Sequence, residues 1–144
     1  MTFIKSIQTS ENKIILKKLG KPAPELLITD QECISIAFLD TETTGVNRAN
    51  DKIIELALKM TTFEKSSGMI ISIDKVYESF NEPGEEISQE ITILTGISND
   101  MVQGQSIDWE MVDTILKDAD IIVAHNASFD RAFVDKHSSV SPNK

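Results

Sequence analysis

With 144 residues, 40% hydrophobic and 26% charged, the chain has enough apolar material for one α/β domain with a buried core. A formal net charge of −9 argues against a high-affinity binder of long nucleic acid, which needs many lysine and arginine contacts to phosphate. No apolar run approaches the length of a membrane span, Met1-Thr2-Phe3-Ile4-Lys5 does not begin a signal peptide, and one cysteine, Cys33, allows no internal disulfide, so a cytoplasmic setting without a membrane partner is expected.

Residues 1–30 are expected to form an N-terminal extension, carrying five lysines against three acids, while the remainder holds nine basic and twenty acidic residues. Ile14, Ile15 and Leu19 fall on one helical face, which Gly20 and the Pro22/Pro24 pair would end. Lys13, Lys17, Lys18 and Lys21 read as a solvated face, with phosphate-backbone contact as the alternative. Residues 31–144 are expected to hold the functional domain. Ile34 to Leu39 reads as a buried strand, Lys52 to Thr62 as a second and Ile70 to Phe80 as a third. The polar stretch Val46 to Asp51 and the turn Asn81-Glu82-Pro83-Gly84 make the connections short, so the three strands are expected to form an antiparallel meander.

Helical signals follow. Ser88 can cap a short helix through Leu94, with Gly96 at the stop position. Ser106 or Asp108 can cap another, with Trp109, Val112, Ile115 and Leu116 on its inner side. Ile121 to Ala124 is a short apolar strand, expected to run parallel to its neighbour after the crossover helix. A last helix carries Phe133 and Val134 inward. The order βββαβα predicts an α/β fold: a mixed sheet with helices packed on it.

The chemistry gathers at Asp40-Thr41-Glu42-Thr43-Thr44-Gly45, where the first buried strand ends. Side chains alternate along a strand, so Asp40 and Glu42 point to the same side. Two like charges so close need an offset, and a hard divalent cation with oxygen ligands is the usual one. Asp130 adds a third carboxylate in the first turn of the last helix, where the helix dipole and free N–H groups favour negative charge. Polar His125 and Asn126 stand just before it, at the sheet's edge.

These residues, in this order, resemble the DnaQ-like (DEDDh) 3′–5′ exonucleases, a group that includes the epsilon subunit of bacterial DNA polymerase III and ribonuclease T. Asp40 to Gly45 followed by Ile53-Ile54-Glu55-Leu56-Ala57 is similar to the family's first motif, and His125-Asn126-Ala127-Ser128-Phe129-Asp130 to its second. Leu94-Thr95-Gly96-Ile97 is similar to the loop that contacts the terminal base. The resemblance implies an RNase H-like fold and hydrolysis of phosphodiester bonds at a single-stranded 3′ end of DNA or RNA, with a DNA polymerase as a further partner. It implies Asp40, Glu42 and Asp130 as ligands of two Mg²⁺ or Mn²⁺ ions. Thr41 and Thr43 would meet the terminal nucleotide through backbone N–H and hydroxyl. Gly96, Ile97, His125, Asn126 and Phe129 would complete the substrate site.

The family's third motif, His-x-x-x-x-Asp or Tyr-x-x-x-Asp, has no counterpart after Asp130; His137 is followed five residues later by Pro142. The expectation is an exonuclease domain truncated after its second motif, lacking the C-terminal part of the fold and weakly active by itself. The alternative is a non-catalytic nucleic-acid or polymerase-binding module.

Overall fold

The computed structural model describes residues 4–10, 13–18 and 32–144. Strands β1 (Ile4–Ser10) and β2 (Lys13–Lys18) pair antiparallel. The helical reading of Ile14 and Ile15 is thereby corrected. β-branched side chains stiffen χ1 and fit a pleated ladder, and these two residues pair with Thr9 and Gln8. Leu19, Gly20, Lys21, Pro22, Pro24 and the boundary expected at residues 30 and 31 lie outside the described residues, as do the side chains of Lys13, Lys17 and Lys18.

The meander is present as β3 (Cys33–Thr43), β4 (Ile53–Glu64) and β5 (Ile70–Phe80), antiparallel throughout. Helices α1 (Gln89–Thr95), α2 (Asn99–Val102) and α3 (Trp109–Asp118) follow, then strand β6 (Ile121–Val123), helix α4 (Ala127–Val134) and a 3₁₀ turn at Ser141–Asn143. Strand β6 lies parallel to β3, giving the mixed order β5-β4-β3-β6. Asp120 fixes that edge: its carboxylate accepts from Ser35 N–H at 2.8 Å and its N–H donates to Ser35 O at 2.8 Å. No helix among the described residues is long and apolar enough to cross a membrane.

Alternation sorts the sheet into two faces. The inner one, including Ala37 and Leu39 of β3 with Leu56, Leu58 and Met60 of β4, packs against Val112, Ile115 and Leu116 of α3 and Phe133 and Val134 of α4. Apart from Ala37, each such side chain, fully buried, contributes about 1.5–3 kcal/mol. The register shifts between Glu42 and Thr43, opposite Ile53 to Glu55. Ile53 therefore joins the main core, while Ile54 joins a second cluster with Ile87, Ile97 and Val102. The outer face keeps apolar side chains at the surface: Phe38, Val76, Ile121 and Val123 are exposed.

Helix ends follow the residue types. Ser88 Oγ accepts from Ile91 N–H at 3.3 Å, and Asp108, rather than Ser106, caps α3 by accepting from Met111 N–H at 3.0 Å. Gly96 ends α1 at φ 81°, a left-handed backbone that glycine adopts without a Cβ penalty. The short helix α2 carries no side-chain cap bond, although Ser98 stands at its N-cap position.

Candidate active site

Strand β3 runs on past Leu39 to Thr43, so Asp40 to Thr43 lie within the sheet rather than in a turn after it. The cause is pairing: Asp40, Thr41 and Glu42 stand opposite Ala57, Leu56 and Glu55 of β4. Cross-strand neighbours share a face. Asp40 and Glu42 therefore project from the outer face with Glu55, and with Glu78 of β5, which stands opposite Ala57. Four carboxylates form a band across three strands at one end of the sheet.

The band is electrostatically strained. Partial burial, then the charge of Asp130, raises the proton affinity of Asp40, while His125 pulls the other way. Glu42 is raised by burial, then by Asp40 and Asp130. Glu55 is raised by burial, then by Glu78, Glu42 and Asp40. Each net shift disfavours the ionised form and would be offset by a bound cation.

Asp130 comes from the opposite side. Helix α4 packs on the inner face, and the Asp130 side chain is 4% exposed, accepting at 2.8 Å from Thr41 Oγ1. Thr41 points inward because its neighbours point outward, and its hydroxyl supplies the partner that a buried carboxylate requires. Asp40, Glu42 and Asp130 are thus brought to the same strand end. Among the described residues, however, no three His, Cys, Asp or Glu side chains are already gathered closely enough to hold one metal ion. The donor set itself suits a hard cation: carboxylate oxygens without a lysine or arginine ion pair among the described residues.

The remaining expected site residues divide. His125 and Asn126 are exposed between β6 and α4. His125 lines an outer-face groove of about 390 Å³ together with Phe38, Asp40, Val76, Glu78 and Val123. Gly96 is exposed at the end of α1, its N–H donating to Thr92 O at 2.8 Å. Thr41, Thr43, Ile97 and Phe129 turn toward the interior. The hydroxyls of Thr41 and Thr43 turn inward, the second donating to Gly45 O at 2.6 Å, which leaves their backbones as the groups on offer. Ile97, at 3% exposed, is core. Phe129 packs on the main core, its ring 5.0 Å from that of Phe133. His137 stacks on Trp109 at 4.8 Å and lines a different cavity from Asp40.

Two residues that sequence reasoning missed hold the site's frame. A Cβ on Gly45 would stand 2.4 Å from Asp51 Oδ2, the oxygen that accepts from Asn47 N–H at 2.6 Å. The glycine of the motif thus makes room for a carboxylate that closes the β3–β4 loop. Asn81 donates from Nδ2 to Ile53 O at 2.9 Å and accepts at Oδ1 from Ile107 N–H at 3.4 Å, tying β4 to the segment before α3. The sequence marks Asn81 as a turn residue and Asp51 as the end of a polar loop, and neither signal reveals a tertiary partner.

Residues 37–141, which span all three acids, match a family model described as exonuclease (RNase_T). The PolC-type DNA polymerase III of Listeria innocua serovar 6a is 43% identical over 111 residues, covering 72% of this chain and 7% of the polymerase. That of Staphylococcus saprophyticus is 38% identical over 112 residues, covering 74% and 7%. E. coli exonuclease I, solved with a dT13 oligonucleotide, matches with a TM-score of 0.56 at 17% identity, over 70% of this chain and 22% of exonuclease I. The chain therefore spans less than a tenth of the polymerases it matches. The likeness to exonuclease I shows the fold, so the mixed sheet with flanking helices is the RNase H-like fold of the exonucleases. By its sequence the chain belongs to the RNase T family of exonucleases.

Proposed function

We propose that this domain hydrolyses phosphodiester bonds at single-stranded 3′ ends of DNA or RNA, as a proofreading or end-trimming exonuclease that depends on divalent metal. The observation that carries the reading is the carboxylate band: Asp40 and Glu42 are made harder to ionise by burial and by neighbouring acids, at the end of a strand where Asp130 also arrives. Asp40, Glu42 and Asp130 would hold Mg²⁺ or Mn²⁺. When bound, such ions neutralise charge on the scissile phosphate and acidify a water molecule.

The chain's own residues prepare that site. Thr41 Oγ1 fixes the Asp130 carboxylate, and its position between Asp40 and Glu42 couples α4 to the strand that carries both acids. His125 and Asn126, exposed beside the groove, suit contacts to the sugar-phosphate of a strand end. The neighbouring second cluster holds Ile97 and so sets the position of Gly96. Among the described residues, His137 is not placed to act as a general base toward Asp40. His137 is stacked away on Trp109, and proton abstraction by a positioned base contributes about 10²–10⁴-fold. PolC-type relatives suggest a DNA polymerase as the working partner, in the cytoplasm.

The test is a 5′-labelled single-stranded oligonucleotide incubated with the purified chain and Mn²⁺. Shortening from the 3′ end that stops with EDTA and with Asp40→Ala is expected. Cleavage that persists in Asp40→Ala would overturn the reading. Strand binding without cleavage would favour a binding module.

A further inference from the structure

On the inner side of the sheet, away from the carboxylate band, lies a cleft of about 220 Å³. Its walls are the end of the β3–β4 loop with Lys52, the turn at Asn81 to Pro83, Trp109 at the start of α3, and Phe133, Lys136 and His137 at the end of α4. Two features set it apart. The first is aromatic: the His137 ring stacks on Trp109 with centroids 4.8 Å apart and planes at 17°. The second is charge. In a chain of net charge −9, Lys52 and Lys136 meet here, and neither forms an ion pair with a carboxylate among the described residues.

The two acids that also line the cleft are engaged by backbone. Asp51 accepts from Asn47 N–H at 2.6 Å and Glu82 from Gly104 N–H at 2.9 Å. Lys136 is positioned: its ammonium lies 5.0 Å from the Phe133 ring centroid and donates to Arg48 O, leaving further donors. The field is felt locally, since burial and then Lys136 and Lys52 hold the His137 imidazole below its usual proton affinity.

An aromatic pair beside two ammonium groups that lack a carboxylate ion pair among the described residues suits a flat ring that carries an anion. We infer that this cleft binds one nucleotide, its base against the Trp109–His137 pair and its phosphate between Lys52 and Lys136. Base–aromatic stacking is sequence-tolerant, and lysine binds phosphate as a point charge. The volume lies below the roughly 300–1,000 Å³ of sites that enclose small molecules, so the occupant is no larger than a single nucleotide unit. That unit has two sources, a free nucleoside 5′-monophosphate or one residue of a strand, and both present the same chemistry. The inference does not rest on the carboxylate band.

Trp109 is the chain's one tryptophan, so its emission reads the cleft directly. The experiment is a fluorescence titration in EDTA, which removes any metal-dependent binding, with dAMP, deoxyadenosine and a short oligothymidylate. Saturable quenching by dAMP or by the oligomer is expected, weakened at least tenfold in Lys52→Glu/Lys136→Glu. Tighter binding of dAMP assigns the free nucleotide, and tighter binding of the oligomer assigns the strand. Three results would overturn the inference: no saturable quenching, equal binding by the double variant, or deoxyadenosine binding as well as dAMP. The two lysines are at the surface, and circular dichroism of the double variant confirms that it folds. A Trp109→Phe chain assayed by calorimetry gives a second reading, with retained dAMP heat expected because the ring is kept, and its loss together with an intact fold counting against a stacked base.

Discussion

At the scale of single residues, the Asp-x-Glu motif works by alternation. Asp40 and Glu42 face out, so Thr41 must face in, and there its hydroxyl meets the Asp130 carboxylate at 2.8 Å. Thr41→Val keeps the shape and removes the donor. It should cost about 1–3 kcal/mol in urea unfolding, the usual penalty for a buried acceptor left without its partner, and Thr41→Ser should recover much of it. A second prediction concerns the band itself. A carboxyl whose proton affinity is raised on folding stabilises the fold below its ordinary pKa of 3.8 to 4.5, and that contribution is lost as pH rises through the folded value. At neutral pH the ionised band therefore works against folding. Asp40→Asn should raise the melting temperature slightly at pH 7 while ending cleavage, an exchange of function for stability measurable by calorimetric melting and the labelled-strand assay. The two acids were legible in the sequence because strand period and residue type coincide there. The inward turn of the threonine hydroxyls was not read, although it follows from the same period.

Among the elements, the meander, the parallel edge strand and the helix caps at Ser88 and Asp108 could be read from apolar runs and capping residues. Strand β2 could not, because Ile14 and Ile15 fit a helical face as well as a ladder, and pairing with β1 decides between them. Ile97 and Phe129 show a related limit: a motif position fixes where a residue sits in the chain but not whether it faces a ligand or the core, and both pack inward here. Contacts remote in sequence escape local pattern too, and Asp113 is the clearest case. Its carboxylate accepts from Ser138 Oγ at 2.5 Å, from Ser139 Oγ at 2.5 Å and from Ser139 N–H at 3.0 Å, tying α3 to residues 138–141. Burial opposes ionisation of Asp113, but these hydrogen bonds outweigh it and hold the carboxyl below its ordinary 3.8. The contribution to stability is fully present above that value and is lost as pH falls below it. Asp113→Ala should cost about 1–2 kcal/mol at pH 7. The difference from wild type should shrink as the pH is lowered from about 4, as checked by urea unfolding across that range.

For the whole molecule, charge placement carries the argument. A net charge of −9 is uneven: acids converge at the outer end of β3, while Lys52 and Lys136 share a cleft on the inner side. The sheet thus carries a band of acids on one face and a lysine-lined cleft on the other, both near the β3–β4 loop. Ions that bind the folded chain and not the unfolded one raise its stability by mass action, by about 2.7 kcal/mol at a hundredfold excess over Kd. Mn²⁺ should therefore raise the melting temperature of the wild-type chain and leave Asp40→Ala unmoved. The most direct measurement is calorimetric titration of Mn²⁺ into wild type and Asp40→Ala at neutral pH. Saturable binding to the wild type that disappears in the variant is expected. Absence of binding to the wild type, or equal binding to both, would contradict a metal site built on Asp40, Glu42 and Asp130.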